Sequence, residues 1–347
     1  MKERIRQLAL ELGFDACRFT TASPPSSASA FQEWLDAGYH GAMEYLARNA
    51  PKRKNPALVL PEARTVIVLA ASYYSDARPG TDSNNDAKPS ADKGVIARYA
   101  HFNDYHEVLG AKLKSLCDWI DGQHSTEGRS LWYVDTGPVL ERDLAQRAGL
   151  GFIGKHANLI SREWGNWIFL GEILTPVELE PDAPETNRCG RCARCMAACP
   201  TQAIRAPFTL DARRCLAYLT IEHKGSIPLE WRTAMGRRVF GCDDCLAACP
   251  WNRFAHAGRA MRGRERGDLA TPDLLELLEL DEAGFRERFK GTPVLRLKRA
   301  RLRRNVCVAL GNTAGAEALP VLERAAGEPD VLVAEHAVWA LERIKKR

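Results

Sequence analysis

No apolar run in this chain is long enough to cross a bilayer: the longest, Val66 to Ala71, is the length of a strand and gives way to Ser72, Tyr73 and Tyr74. The pattern of a secretory leader is also missing, since the opening residues, MKERIRQLALELGF, have the spacing of an amphipathic helix. Neither sign of charge dominates, with 49 Lys and Arg against 44 Asp and Glu and a net charge of +5. These absences point to a soluble protein of the reducing cytoplasm, with room in 347 residues for two or three domains.

Cysteine is not scarce. Of eleven, seven fall in two clusters, Cys189-x2-Cys192-x2-Cys195-x3-Cys199-Pro200 and Cys242-x2-Cys245-x3-Cys249-Pro250, with Cys215 between them. A C-x2-C-x2-C-x3-C-P run wraps three thiolates round one 4Fe-4S cube and sends the fourth to a second cube. If Cys215 supplies the ligand the second cluster is short of, one cube takes Cys189, Cys192, Cys195 and Cys249. The other takes Cys215, Cys242, Cys245 and Cys199. Two structural zinc sites are the alternative, but zinc ribbons do not usually carry the third close cysteine or the Cys-Pro ending. Cys17, Cys117 and Cys307 sit among apolar neighbours and are expected in the core.

Before the cysteines, helical and strand-like segments alternate. EARTVIVLAASYY and SLWYVD read as strands, and ALELGF and FQEWLDAGYHGAMEYLAR as helical. A Pro-, Ser-, Asn- and Gly-rich loop is expected from Ala77 to Lys93, and an extended lead-in, TPVELEPDAPETNR, precedes the first cluster. Beyond a Gly/Arg-rich joint the chain turns helical. There Asn305, Val306, Ala309 and Leu310 align with His336, Ala337, Ala340 and Leu341 at an interval of 31 residues, the grammar of a short HEAT-like array. Between Arg286 and Arg304 nine Lys or Arg face one acid, Glu287, which suits a polyanion.

The loop Gly149 to His156, GLGFIGKH, lacks what a phosphate loop needs. It follows a helix pattern rather than a strand, with Gly149 as C-cap, and His156 stands where a triphosphate loop has Ser or Thr. Its glycines are expected to let the backbone approach some other flat or bulky ligand. Asp104-Tyr105-His106 resembles the D-x-H-x-x-G of base-off cobalamin enzymes but has one residue too many before Gly110, so the pair Tyr105 and His106 is expected to line a pocket rather than ligate cobalt. Asp135 ends a strand, ahead of Thr-Gly-Pro and a helix with Pro138 near its first turn. A carboxyl there, facing a cavity, can hold a raised pKa and donate a proton, or can simply cap the turn. Arg142 could reach a substrate group, or pair with Glu141 or Asp143.

VDTGPVLERDLAQRAGLGFIGKHANL, the first cysteine cluster, YLTIEHKGSIP around Cys215 and GCDDCLAACPWN together resemble the epoxyqueuosine reductase family, in this order and over essentially the whole chain. The resemblance implies an α+β multidomain enzyme: an N-terminal α/β cobalamin-binding domain over 1–180 related to reductive dehalogenases, a ferredoxin-like module with two 4Fe-4S clusters over 181–258, and HEAT-like helices for tRNA over 268–347. It implies removal of the epoxide oxygen from epoxyqueuosine at the wobble position of a tRNA with a GUN anticodon. Asp135 matches the proposed proton donor, and the eight cysteines match the cluster ligands. Tyr105, His106, Arg142, Lys155 and Asn158 would lie near the corrin or substrate. Arg296, Lys298, Arg299, Arg301 and Arg303, extended by Arg232, Arg237 and Arg238, would hold tRNA phosphates. An external one-electron donor would feed the clusters, and a protein gripping tRNA through its tail needs no second subunit. Two rivals are a cobalamin enzyme acting on a small halogenated or epoxide molecule, and an electron-transfer protein with no chemistry of its own.

Overall fold

The computed structural model describes residues 1–75, 91–123 and 128–347. Its centre is a four-stranded sheet of β1 (Ala16–Thr21), β2 (Thr65–Ser72), β3 (Leu131–Tyr133) and β4 (Ile168–Thr175), in the order β1-β2-β4-β3 with every neighbouring pair antiparallel. The N-terminal part is therefore α+β rather than the expected α/β. All eight residues of β2 are buried because both of its faces are covered. On one side Ile67, Leu69 and Ala71 join Ile5 of α1 (Lys2–Glu11) and Leu109, Leu113 and Leu116 of α2 (Tyr105–Gly122). On the other, Val66, Val68 and Ala70 join Leu144 and Ala145 of α3 (Glu141–Arg147). Two-sided burial, at ~1.5–3 kcal/mol per large aliphatic side chain, is what an unbroken apolar run is for.

FQEWLDAGYHGAMEYLAR does not form one helix. It breaks into Ala28–Asp36 and Glu44–Arg48, with Gly38 and Gly41 at positive φ between them. The break lets Tyr218, far along the chain, enter: its hydroxyl accepts the Ala42 N–H at 2.7 Å, and a Cβ on Gly41 would meet it at 2.6 Å.

The expected helical tail contains α4 (Arg299–Thr313), α5 (Leu319–Ala326) and α6 (Val331–Lys345). Asn305 and His336, the two polar members of the 31-residue interval, are both fully buried. The Asn305 amide donates to the carbonyls of Thr220 and Val239, each at 2.8 Å, and His336 Nε2 accepts the Ile227 N–H at 3.1 Å. Both fasten the tail to the segment carrying Cys215. The parts interlock further: Val95–Ile96 pairs in parallel with Arg238–Phe240, and Ile96 and Ala100 pack into the same core as Leu274, Phe285 and Leu302. The expected loop from 77 to 93 falls almost wholly outside the described residues, while 176–188 forms neither helix nor strand.

Candidate active site

A tight turn after β3 presents Asp135. Thr136 N–H reaches back to the Val134 carbonyl at 2.6 Å, Asp135 adopts φ 60°, and a Cβ on Gly137 would sit 2.5 Å from the Tyr133 ring. α3 starts only at Glu141, so Pro138 lies in the turn rather than in the first helical turn. Asp135 stands at the wall of a cavity of about 160 Å³, also lined by Tyr105, Glu141, Arg142, Asn158 and Asn166, and keeps 63% of its side chain accessible.

Two side chains of α2 hold that carboxylate. The Tyr105 hydroxyl donates to Asp135 Oδ2 at 2.7 Å, and the Tyr105 ring stacks on Phe169 with centroids 4.3 Å apart. His106 Nε2 lies 3.6 Å from the same oxygen. Asp104, the N-cap of α2, accepts from His106 N–H at 3.1 Å and lies 2.9 Å from Nδ1, which puts the ring proton on Nδ1. Walls around Asp135 would raise its proton affinity, but the nearby His106 ring, charged when protonated on both nitrogens, and the Tyr105 hydrogen bond outweigh that and hold its pKa below the usual carboxylate value. The expected raised pKa is thus reversed. Conversely, burial would lower His106, yet Asp104 and Asp135 hold its pKa above the ordinary histidine value.

The remaining expected pocket residues divide. Asn158 lines the cavity. Arg142 lines it too, and donates to the Ala157 carbonyl; of its two expected roles, this leaves reaching a substrate group rather than pairing with Glu141 or Asp143. Lys155 does not face it: its Nζ donates to the carbonyls of Gly190 at 2.8 Å and Cys192 at 2.9 Å, bracing the first cysteine loop. Nor do the nearby glycines cradle a ligand. A Cβ on Gly149 would lie 2.2 Å from the Ala183 carbonyl oxygen, and one on Gly151 2.4 Å from that of Ile160, so both serve the protein's own packing.

The cysteines gather as the spacing implies. Cys195 feels Cys189 and Cys249, and Cys249 feels Cys189 and Cys192. Cys245 feels Cys215, Cys242 and Cys199. Desolvation is the first cause that raises the thiols of Cys195, Cys215, Cys242, Cys245 and Cys249, and a cluster's iron would replace those protons. Among the described residues no group of three or more His, Cys, Asp or Glu is arranged as the shell of a single ion; thiols set round a cube stand farther apart than thiols set round one metal. The cavity comes near both sets, although none of the eight cysteines lines it. Its wall includes Leu246, which follows Cys245 in the chain, and Asn166, which lies close enough to Cys249 to lower its thiol's pKa. Cys17, Cys117 and Cys307 are buried as expected.

The basic residues also divide. Arg232 is buried and paired with Glu335, and Arg303 is buried and paired with Glu328, so neither offers its charge to a polyanion. Arg238 pairs with Asp244 at 2.6 Å, and Arg237 donates to the Lys93 carbonyl. Arg296 is half exposed and paired with Asp104, Arg301 donates to the Ile221 carbonyl, and Arg299 to the Leu280 carbonyl. Lys298 and Arg299 share a second, open cavity of about 780 Å³ with Arg286 and Lys290. The sequence reading missed Asn166, Tyr73 and Phe169 on the first cavity; only their place in the fold brings them there.

Comparison with known proteins completes the picture. A family model described as 4Fe-4S double cluster binding domain matches residues 188–252, and one described as Epoxyqueuosine reductase QueG, DUF1730 matches residues 53–136. The chain is 40% identical over 343 residues to the epoxyqueuosine reductase of Vibrio cholerae, covering 99% of this chain and 91% of that protein. It superposes with a TM-score of 0.89 and 32% identity on a crystal structure of epoxyqueuosine reductase with a tRNA-Tyr epoxyqueuosine-modified stem loop, over 99% of this chain and 90% of that one. The Bacillus subtilis epoxyqueuosine reductase, solved with its catalytic aspartate loop swung out of the active site, gives 0.86 at 30% identity over 99% and 90%. A catabolic reductive dehalogenase superposes only slightly, at 0.45 and 15% identity over 73% of this chain and 32% of its own.

Proposed function

The chain belongs to the epoxyqueuosine reductase family, and from that membership we propose that it reduces epoxyqueuosine to queuosine at the wobble position of a tRNA anticodon, using two 4Fe-4S clusters and cobalamin. The observation that carries this reading is the cavity that has Asp135 on its wall, held by Tyr105 and His106, with Leu246 and Asn166 bringing its wall close to the cysteines.

The cavity fits a polar-edged cofactor or substrate in its donor set. Asn166 Oδ1 and Glu141 Oε1 are buried on its wall with no partner in the protein, and Tyr105 and Phe169 offer a flat aromatic stack. Tyr105, His106, Asp135, Arg142 and Asn158 are the residues that would hold cobalamin or the modified base there. Cobalamin, when bound, supplies the low-potential electrons that no side chain can. Asp135 delivers protons to the departing oxygen, and Tyr105 and His106 fix the carboxylate in place. The swung-out catalytic aspartate loop of the Bacillus subtilis relative supports a role for motion of the turn that carries Asp135.

Lys298, Arg299, Arg296 and Arg301 would meet tRNA phosphates, with the helical tail acting as a short HEAT-like array. The target base leaves its stack to reach the cavity. An external one-electron donor feeds the clusters, and we read the enzyme as a cytoplasmic monomer acting on tRNA with a GUN anticodon. Among the described residues no helix is long and apolar enough to cross a membrane.

The test is an anaerobic reaction of cluster-loaded protein with cobalamin, a strong one-electron reductant and an anticodon stem-loop bearing epoxyqueuosine. Nucleoside mass analysis should show a product lighter by one oxygen, only with cobalamin present. No product from protein with intact clusters and bound corrinoid would overturn the reading.

A further inference from the structure

Two further carboxyl groups lie close enough to Asp135 to feel its charge. Glu172, on β4 between Val68 of β2 and Tyr133 of β3, is fully buried, and neither of its oxygens has a hydrogen-bond partner. Glu141, first residue of α3, lines the cavity with Asp135 and leaves Oε1 buried and unpartnered. An ionised carboxylate with neither counter-charge nor donor is costly inside a protein, so Glu172 keeps its proton. Burial, with the charges of Glu141 and Asp135, raises its pKa; burial and Asp135 likewise push Glu141 up to about 8, against the pull of Arg142 and Arg53.

The reaction makes a demand these groups can meet. Reducing an epoxide to an alkene breaks two C–O bonds and releases the oxygen as water, taking two electrons from the external one-electron donor by way of the clusters, and two protons. Asp135 is held ionised between His106 and Tyr105, so it must be recharged. His106 can return one proton. Among the other described groups near the site, burial holds the protons of Tyr45, Tyr99, Tyr105 and Tyr133, and Glu222, raised by burial and by Asp135, is not part of the cavity wall. β2 offers only Val66, Val68 and Ala70 on this face.

We propose that Glu141 and Glu172 are the proton store of this site, Glu172 recharging Glu141 and Glu141 recharging Asp135, so that the second proton is at hand while the bound stem-loop shuts out water. The cavity of about 160 Å³ has room for the few waters that would bridge Glu141 to Asp135. The two glutamates act through Asp135 and need not touch the substrate. This inference rests on the epoxide-reductase reading.

Glu141→Gln, Glu141→Asp and Glu172→Gln test it. Glutamine copies a protonated glutamate in size and charge, so the fold should persist. Infrared difference spectra of cluster-loaded protein at neutral pH should show protonated-carboxyl C=O bands that diminish in each Gln variant. In single-turnover assays with cobalamin and the stem-loop, Glu141→Gln should slow deoxygenation by about 100-fold near neutral pH, the difference narrowing above about pH 8 where wild-type Glu141 gives up its own proton, and Glu141→Asp should recover much of the rate. Absence of the bands in wild type, or Gln variants that match wild type at every pH, would overturn the proton store. If Glu172→Gln failed to load clusters, the two Glu141 variants would decide. A wild type that makes no queuosine sinks the underlying reading; an active wild type with indifferent variants sinks this inference alone.

Discussion

Arg296, at the edge of the helical tail, pairs with Asp104, the residue that caps α2 and holds the ring of His106. A residue expected to grip tRNA is thereby one step from the imidazole that faces Asp135. The pair joins the helical tail to the wall of the cavity through charge.

Arg296→Ala should raise the pKa of His106 further. The guanidinium lowers it directly, and Asp104 would lose its competing partner. His106 would then stay protonated to higher pH, which NMR titration of the labelled ring should report. A downward or absent shift would break the proposed link.

Asp135→Asn should keep both clusters and corrinoid binding but lose turnover by ~10²–10⁴-fold, the usual worth of a positioned proton donor. Wild-type rates in single-turnover nucleoside analysis would remove Asp135 from the mechanism.

The basic residues should separate by experiment as they do by position. Lys298→Ala should weaken stem-loop binding at every sequence and reduce the slope of log affinity against log salt by about 1. Arg303→Ala should instead cost roughly 2–4 kcal/mol of stability, somewhat below the range for fully buried pairs because Glu328 keeps part of its side chain in water. Urea unfolding and salt titrations read the two effects.

His336 should make the tail acid-sensitive. Its Nδ1 donates to the Leu332 carbonyl and Nε2 accepts the Ile227 N–H, an arrangement only the neutral ring can make. Burial first, then Arg232, lowers its pKa to about 4. The unfolded chain therefore binds more protons between about pH 6.5 and 4, and stability falls as pH drops through that window, by roughly 3 kcal/mol at most. Chemical unfolding from pH 7 to 4 should show this slope, and His336→Gln should flatten it.

Much of this molecule was legible in its residues because the chemistry that needs them is local. Four thiolates on a short loop announce a cluster whatever surrounds them, and the family's motifs marked Asp135 before any geometry was known. An apolar run such as Val66 to Ala71 could be read as a strand, since its length and composition fit nothing else. Residue type alone did not say which arginines face water. Arg296 and Arg303 lie on one basic segment, and only packing against Asp104 and Glu328 gave one to the site and the other to the core. The same holds for protonation: Asp135 was expected to hold its proton and is held ionised by Tyr105 and His106, while Glu172, one acid among apolar strand residues, is kept neutral by a sheet that gives it no partner. Sequence determined which groups are present and how ligands are spaced along the chain. Tertiary structure decided each group's charge and reach, because desolvation and hydrogen bonding depend on neighbours brought from distant positions.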